Sequence, residues 1–215
     1  MKILPFMRRP LRYEFYNAAL IIILVNTGFF IIFAIGSGRM SARLLETFAL
    51  IPGMVRSGSL WQLITYMFLH WDFSHLLFNM LGLFFFGIQI EHHMGSREFL
   101  LFYFVCGFAA GLFSFAVYTL TGTYAVVLIG ASGAIYGVLL AFAAFFPRAE
   151  IYVFGIFPIR APLLVMIYAG IEIFNQVFGR GGNVAHLTHL AGLAAAYVYL
   201  LVRYRINALR VFFDR

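Results

Sequence analysis

Charged residues are scarce in this chain. Aspartate, glutamate, lysine and arginine make up 11% of its 215 residues, whereas a typical soluble domain carries about 25%. Hydrophobic residues account for 63% of the chain, and the mean hydropathy is +0.94. These polar side chains are too few to cover a water-soluble surface, so the composition predicts a membrane protein.

Cysteine is almost absent, because Cys106 is the only one. A disulfide within the chain is therefore excluded, and cysteine usage does not indicate a redox compartment. The sequence also lacks internal repeats, low-complexity segments and domain linkers, which favours one compact helical domain. The first apolar run is long enough to span a membrane and has no clear small-residue cleavage site, so we expect no cleavable signal peptide.

Long apolar runs are abundant. A helix needs about 20 mostly apolar residues to cross the hydrocarbon core of a bilayer, and glycine, proline and charge clusters mark the breaks between such runs. Six segments fit, at residues 16–35, 73–90, 98–120, 130–146, 159–178 and 184–204. We expect an all-α membrane protein, a bundle of six transmembrane helices over residues 16–204. Residues 36–70 should form a structured, partly interfacial first loop.

The basic residues predict the orientation of the bundle, because lysine and arginine accumulate on the cytoplasmic side. With the N-terminus inside, all but four of the 15 lysines and arginines lie on cytoplasmic segments. The four exceptions are Arg39, Arg43, Arg56 and Arg180. We therefore expect a cytoplasmic N-terminal segment, 1–15, a cytoplasmic tail, 205–215, and a multi-pass protein of a prokaryotic cell membrane. The net charge of +7 follows from this orientation and from anionic lipid; it requires no nucleic acid.

Polar side chains inside the spans are costly and usually serve a purpose. The second, fourth and sixth spans all enter from the outer face, and their first two turns carry His75 and Asn79, Ser132, and His189. These four side chains should lie in one layer just below the outer surface. Small residues line one face of two of these spans, which lets helix backbones approach closely: Gly133, Gly137 and Ala141 in the fourth, and Gly192 and Ala196 beside His189 in the sixth. Ser132 should therefore come within hydrogen-bonding reach of His189.

This layer predicts nucleophilic catalysis. A serine hydroxyl is a weak nucleophile until a base takes its proton, and imidazole suits that task near neutral pH. We assign Ser132 as nucleophile and His189 as general base. His75, Asn79 and the backbone N–H groups near Ser132 could donate to an oxyanion. No carboxylate is expected in this layer, so the sequence favours a dyad over a triad.

The motifs resemble those of the rhomboid intramembrane serine proteases over essentially the whole chain. They are Gly130 and Gly133 around Ser132 in GASG, followed by Tyr136 and Gly137; His70 with the pair His75 and Asn79; and HLAG from His189 to Gly192. The resemblance implies a Ser/His dyad that cleaves single-pass transmembrane substrates near the outer face without a cofactor. It also implies that Tyr136 stacks on His189, and that His70, Gly130 and Gly133 support the site.

The chain departs from the family pattern at two positions. Many rhomboids have Trp-Arg in the first loop where this chain has Trp61-Gln62, and Ala196 stands where a glycine is usual. Alanine is still small, so close packing of the two helices remains the expectation.

Other interpretations remain open. His70, His75, His186 and His189 could form a nitrogen-rich metal site, although there is no HExxH motif. A catalytically silent relative that escorts membrane proteins is a second alternative, and a transporter is a weaker third. Glu172 in the fifth span is explained best by a buried hydrogen bond to a neighbouring span; the lesser alternative is that it orients a histidine. Glu91, His92 and His93 should form a solvated cap.

Overall fold

The computed structural model describes residues 10–153, 155–178 and 184–213, which form a helical bundle. Lys2, Arg8, Arg9, Arg180 and Arg215 of the charge count lie outside this part of the chain. The elements in chain order are α1 (Ala18–Ile35), α2 (Gly38–Phe48), α3 (Pro52–Arg56), α4 (Gln62–Thr65), α5 (Phe73–Gly82), α6 (Ile88–Met94), α7 (Ser96–Leu120), α8 (Ser132–Phe145), β1 (Glu150–Val153), β2 (Phe157–Arg160), α9 (Ala161–Phe178), α10 (Val184–Tyr199) and α11 (Ala208–Phe213).

Five helical stretches of the described chain are long and apolar enough to cross a membrane. They are Ala18–Ile35, Phe73–Met94, Ser96–Leu120, Ala161–Phe178 and Ala185–Tyr204. The second and the last are each continued by a π-helical turn, Leu83–Gly87 and Leu200–Tyr204. Their bounds lie within a few residues of the predicted spans, so the expected helical membrane bundle is confirmed.

The predicted fourth span is shorter than expected. Helix α8 has 14 residues, or about 21 Å at 1.5 Å per residue, which is less than the roughly 30 Å hydrocarbon core. It begins only at Ser132 because Gly130, at the predicted start, has a φ of 122° and is not helical. The count of six spans is therefore not confirmed. Most side chains of α8 are buried, which makes it the central helix of the bundle.

The first loop is structured, as expected. Helices α2, α3 and α4 and a 3-10 turn, Tyr66–Phe68, occupy it. Buried Gln62 accepts a hydrogen bond from the Ile51 N–H, 3.1 Å, and donates to the Glu46 carbonyl, 2.7 Å. The neighbouring Trp61 donates from Nε1 to the Thr47 carbonyl, 2.8 Å. The glutamine at the position where many rhomboids have arginine thus anchors the loop through backbone groups.

Two buried glutamates hold the opposite end of the bundle from Ser132. Glu91 accepts the N–H groups of Ala18 and Ala19, at 2.6 and 2.8 Å, which have no partner inside α1. Glu98 accepts from Arg203, with 2.8 Å between Nη2 and Oε2. The expectation that Glu91 belongs to a solvated cap is therefore wrong. Its neighbours His92 and His93 are exposed.

Two features extend the expected all-α architecture. Strands β1 and β2 form an antiparallel hairpin in which Glu150 lies opposite Arg160. Because residues 157–160 pair in this hairpin, α9 begins at Ala161 and the predicted start at residue 159 is two residues early. The predicted C-terminal tail contains α11, whose Ala208 is fully buried.

The small-residue faces of α8 and α10 meet, as the sequence predicts. A Cβ atom added to Gly192 would lie 1.9 Å from the Gly133 carbonyl oxygen, and one added to Gly137 would lie 3.4 Å from the Ala196 Cβ. On its other side, Gly137 faces Cys106 of α7. This contact of two backbones fixes the relative height of Ser132 and His189.

Candidate active site

Ser132 is the first residue of α8, and Gly130 determines how the chain enters this helix. The Gly130 φ of 122° lies in the left-handed region that favours glycine. A Cβ atom at Gly130 would also lie 2.7 Å from His75 Nε2. Glycine is therefore required here both by the backbone conformation and by the neighbouring imidazole. The first-turn N–H groups of α8 have no carbonyl partner within the helix and remain available as donors.

The structure brings Ser132 and His189 together. Their Oγ and Nε2 atoms are 2.7 Å apart. The Tyr136 ring, one turn after Ser132, is stacked on the His189 ring with centroids 4.4 Å apart and an interplanar angle of 6°. Stacking restricts the imidazole to one plane, and the hydrogen bond fixes which edge faces the serine.

A carboxylate shares the site, so the expectation that no acidic residue lies in this layer is wrong. Glu172 of α9 is buried, and its Oε1 is 2.8 Å from His189 Nδ1. The same oxygen accepts from the Tyr136 hydroxyl, while Oε2 contacts His186 Nδ1. The expected hydrogen bond from Glu172 to neighbouring spans exists, and it connects directly to both imidazoles of α10.

His75 and Asn79 lie on α5, one turn apart, but only His75 faces the serine side. Asp72 caps this helix by accepting the His75 N–H at 2.8 Å. The Asn79 side chain donates from Nδ2 to the His75 carbonyl, 2.7 Å, and is buried. Asn79 thus supports the start of α5, and its amide is directed along the helix.

A cavity of about 280 Å³ opens beside Ser132. Polar and aromatic side chains, among them Tyr66, Trp71, His75, Ser132 and His189, line it together with the apolar residues 126–129 that precede α8. A water molecule occupies about 30 Å³ in the liquid, so this volume holds several waters next to the serine hydroxyl.

The alternative of a metal site formed by His70, His75, His186 and His189 does not match the arrangement of these side chains. Within the described residues, the group with metal-binding geometry is Glu172, His186 and His189, whose ligand atoms lie within 4.8 Å of one another. His70 and His75 instead contact each other, with ring centroids 4.9 Å apart in an edge-on arrangement. These four histidines therefore form two pairs: His70 contacts His75, and His186 is joined to His189 through Glu172.

His70 lies behind His75, just before α5, and is buried. Burial, with a smaller contribution from His75, lowers the pKa of His70 from 6.5 to about 3. Neither of its ring nitrogens has a hydrogen-bond partner among the described residues. His70 is therefore neutral at physiological pH and supports His75 by ring contact alone.

Acidification is expected to destabilise the fold through His70. Between pH 6.5 and 3 the unfolded chain protonates this histidine and the native state does not, so stability falls as the pH drops below 6.5. From pH 7 to 5 the loss is about 2 kcal/mol. Thermal unfolding in detergent at both pH values measures it, and His70→Phe should show a weaker pH dependence. Exposed His92→Phe is the control and should keep the pH dependence of the native melting temperature. If His70→Phe also kept it, His70 would not be the group that destabilises the fold in acid.

Fold and site together define a class of protein: a multi-pass helical membrane protein with a serine–imidazole pair at one end of its bundle. A sequence model of the rhomboid domain matches residues 57–206, which include Ser132, His189, His75 and Asn79. The chain belongs to the rhomboid family.

Three relatives show how far the similarity extends. RHOMBOID-like protein 12, mitochondrial, of Arabidopsis thaliana is 28% identical over 82% of this chain and 55% of that protein. Rhomboid protease GluP of Bacillus subtilis is 30% identical over 78% of this chain and 31% of that protein. Rhomboid protein 1, mitochondrial, of Saccharomyces cerevisiae is 34% identical over 61% and 38%. The chain spans about half the length, or less, of these curated relatives.

The relatives bear on where such proteins reside. Two of the three are named as mitochondrial and the third is bacterial. They support a multi-pass membrane protein, and they do not support the expectation of a prokaryotic cell membrane over an organelle membrane.

Proposed function

We propose that this chain is an intramembrane serine endopeptidase that hydrolyses peptide bonds of single-pass transmembrane proteins. The 2.7 Å contact between Ser132 Oγ and His189 Nε2 at one end of the bundle carries the proposal. The family membership and the name of the GluP relative support the same chemistry.

Ser132 is the nucleophile and His189 the general base. As Oγ attacks the carbonyl carbon of the substrate, its proton passes to His189 Nε2. Collapse of the tetrahedral intermediate breaks the C–N bond, and the imidazolium returns the proton to the leaving amine. A water from the cavity then hydrolyses the acyl-enzyme by the same route in reverse order. The Ser132 hydroxyl supplies the proton of the first step and the attacking water that of the second, both through His189, so this mechanism uses no cofactor.

The oxyanion is stabilised from two sides. His75 lines the cavity with Ser132, and the first-turn N–H groups of α8, including that of Ser132, are free of partners within the helix and supply the second set of donors. Asn79 contributes indirectly, because its side chain donates to the His75 carbonyl and so holds the start of α5. Gly130 and Gly133 support the site by allowing the imidazole and the neighbouring helices to approach.

The substrate bond is cut near one membrane surface. Ser132 begins its helix, so the reacting atoms lie near one end of the bundle, beside a cavity that His75 and His189 line. The distribution of basic residues supports an outer position for this end and a cytoplasmic position for the N- and C-terminal segments. A single-pass substrate would therefore be cleaved close to the outer face.

A membrane-impermeant fluorophosphonate tests nucleophile and orientation together. Right-side-out vesicles that contain the full chain are labelled, and peptide mapping locates the modified residue. We expect phosphonylation at Ser132 without permeabilisation, and parallel cleavage of a model single-span substrate that a chelator does not inhibit. Labelling only after permeabilisation would reverse the orientation and leave the chemistry intact. A folded chain that neither labels nor cleaves would contradict the protease function and favour a membrane-protein escort.

A further inference from the structure

We propose that Glu172 is a positioning residue for His189, so that the site works as a Ser132–His189–Glu172 relay rather than as a dyad. This inference rests on the proposed protease function. It concerns a residue outside the motifs by which the chain resembles its family, and it names the group that fixes the tautomer of the proposed base.

The geometry of the three residues is continuous. His189 contacts Ser132 Oγ through Nε2 at 2.7 Å and Glu172 Oε1 through Nδ1 at 2.8 Å. A carboxylate only accepts, so the Nδ1 atom must carry the hydrogen. Nε2 is then unprotonated and can accept the serine proton, which is the tautomer that general-base catalysis requires.

Glu172 also holds the orientation of the imidazole indirectly. Its Oε1 accepts from the Tyr136 hydroxyl, and the Tyr136 ring stacks on His189 at 4.4 Å. The carboxylate therefore fixes both the edge of the His189 ring and the plane against which it lies. When His189 becomes an imidazolium during acyl transfer, the negative charge of the buried Glu172 stabilises it.

A purely structural role is the competing explanation. In α9, Glu172 is the only buried side chain beyond Val165, so its hydrogen bonds also attach this half of the helix to α8 and α10. The contact between Glu172 Oε2 and His186 Nδ1 allows the two roles to be distinguished. It joins α9 to α10 through the same carboxylate but does not involve His189, so its removal tests the structural role alone.

Glu172→Gln and His186→Gln are compared in the full-length chain. Steady-state cleavage gives kcat and KM, and the rate of fluorophosphonate labelling at Ser132 reports serine activation. We expect Glu172→Gln to lower kcat and the labelling rate by about 10- to 100-fold, the worth of a charge-assisted hydrogen bond, with KM within about 3-fold of native. His186→Gln should keep kcat within about 3-fold. Thermal unfolding of both variants monitors the fold.

The outcomes distinguish this inference from the proposed function. Native-like kcat and labelling in Glu172→Gln, or equal losses of kcat and melting temperature in both variants, would show a structural tie and overturn the relay. Native protein that neither cleaves nor labels would overturn the protease function and the relay with it. If Glu172→Gln is not recovered folded, Glu172→Asp replaces it. The aspartate side chain is one methylene shorter, so its carboxylate lies farther from His189 Nδ1. A native kcat in Glu172→Asp would therefore also overturn the relay.

Discussion

Ser132→Ala and His189→Ala are each expected to lower kcat by about 10⁴-fold or more, and the double variant is expected to be no slower than either single variant. The two side chains form one proton-transfer unit, joined at 2.7 Å. Removing either side chain abolishes the proton transfer between them, so the effects of the two substitutions on kcat do not add. Steady-state cleavage of a single-span substrate in liposomes, with loss of fluorophosphonate labelling in Ser132→Ala, measures both claims.

Ser57→Ala is the matched control, because it removes a serine hydroxyl that lies on the exposed first loop and donates only to the Gly53 carbonyl. It should cleave at the native rate. If Ser132→Ala retained native kcat, another group would be the nucleophile. A double variant much slower than the singles would mean that Ser132 and His189 act independently, which contradicts a shared proton transfer.

The close approach of α8 and α10 was predictable because it depends on spacing within each helix. Gly133 and Gly137 lie four residues apart on one face of α8, and Gly192 and Ala196 lie four residues apart on one face of α10. The structure shows these two faces in contact. The second, fourth and sixth spans enter the membrane from the same face, so counting residues from the start of each span predicts which side chains lie at the same depth in the bilayer. Ser132, His75 and His189 accordingly share the cavity.

The same count did not place Glu172 in this layer, because α9 crosses the membrane in the opposite direction. Its carboxylate lies six residues before the helix ends at Phe178, about 9 Å along the axis, and His189 lies five residues after α10 begins at Val184, about 8 Å. Counting depth from the end of the fifth span would have placed the two side chains together. Packing against α8 and α10 determines which face of α9 turns toward the bundle. The spacing of residues along α9 alone does not reveal this rotation of the helix.

Gly192→Ala is expected to disrupt the site from a distance. The added methyl group would lie 1.9 Å from the Gly133 carbonyl oxygen, a backbone atom that cannot rotate away. Helices α8 and α10 must then separate by more than 1 Å, which we expect to cost about 3 kcal/mol or more in stability. A shift of that size between Ser132 and His189 lowers kcat by about 100-fold. Thermal unfolding and steady-state cleavage measure the two effects.

Gly170→Ala provides the comparison, because Gly170 lies on the exposed side of α9 and a Cβ atom there meets nothing within 4 Å. Alanine has the higher helix propensity, so this variant should be as stable as native protein or slightly more stable, with unchanged kcat. Loss of activity in Gly192→Ala but not in Gly170→Ala would show that contact between two backbones holds the serine against its base. Native stability and activity in Gly192→Ala would mean that the helices tolerate the methyl group, and that Tyr136 and Glu172 alone are sufficient to align His189.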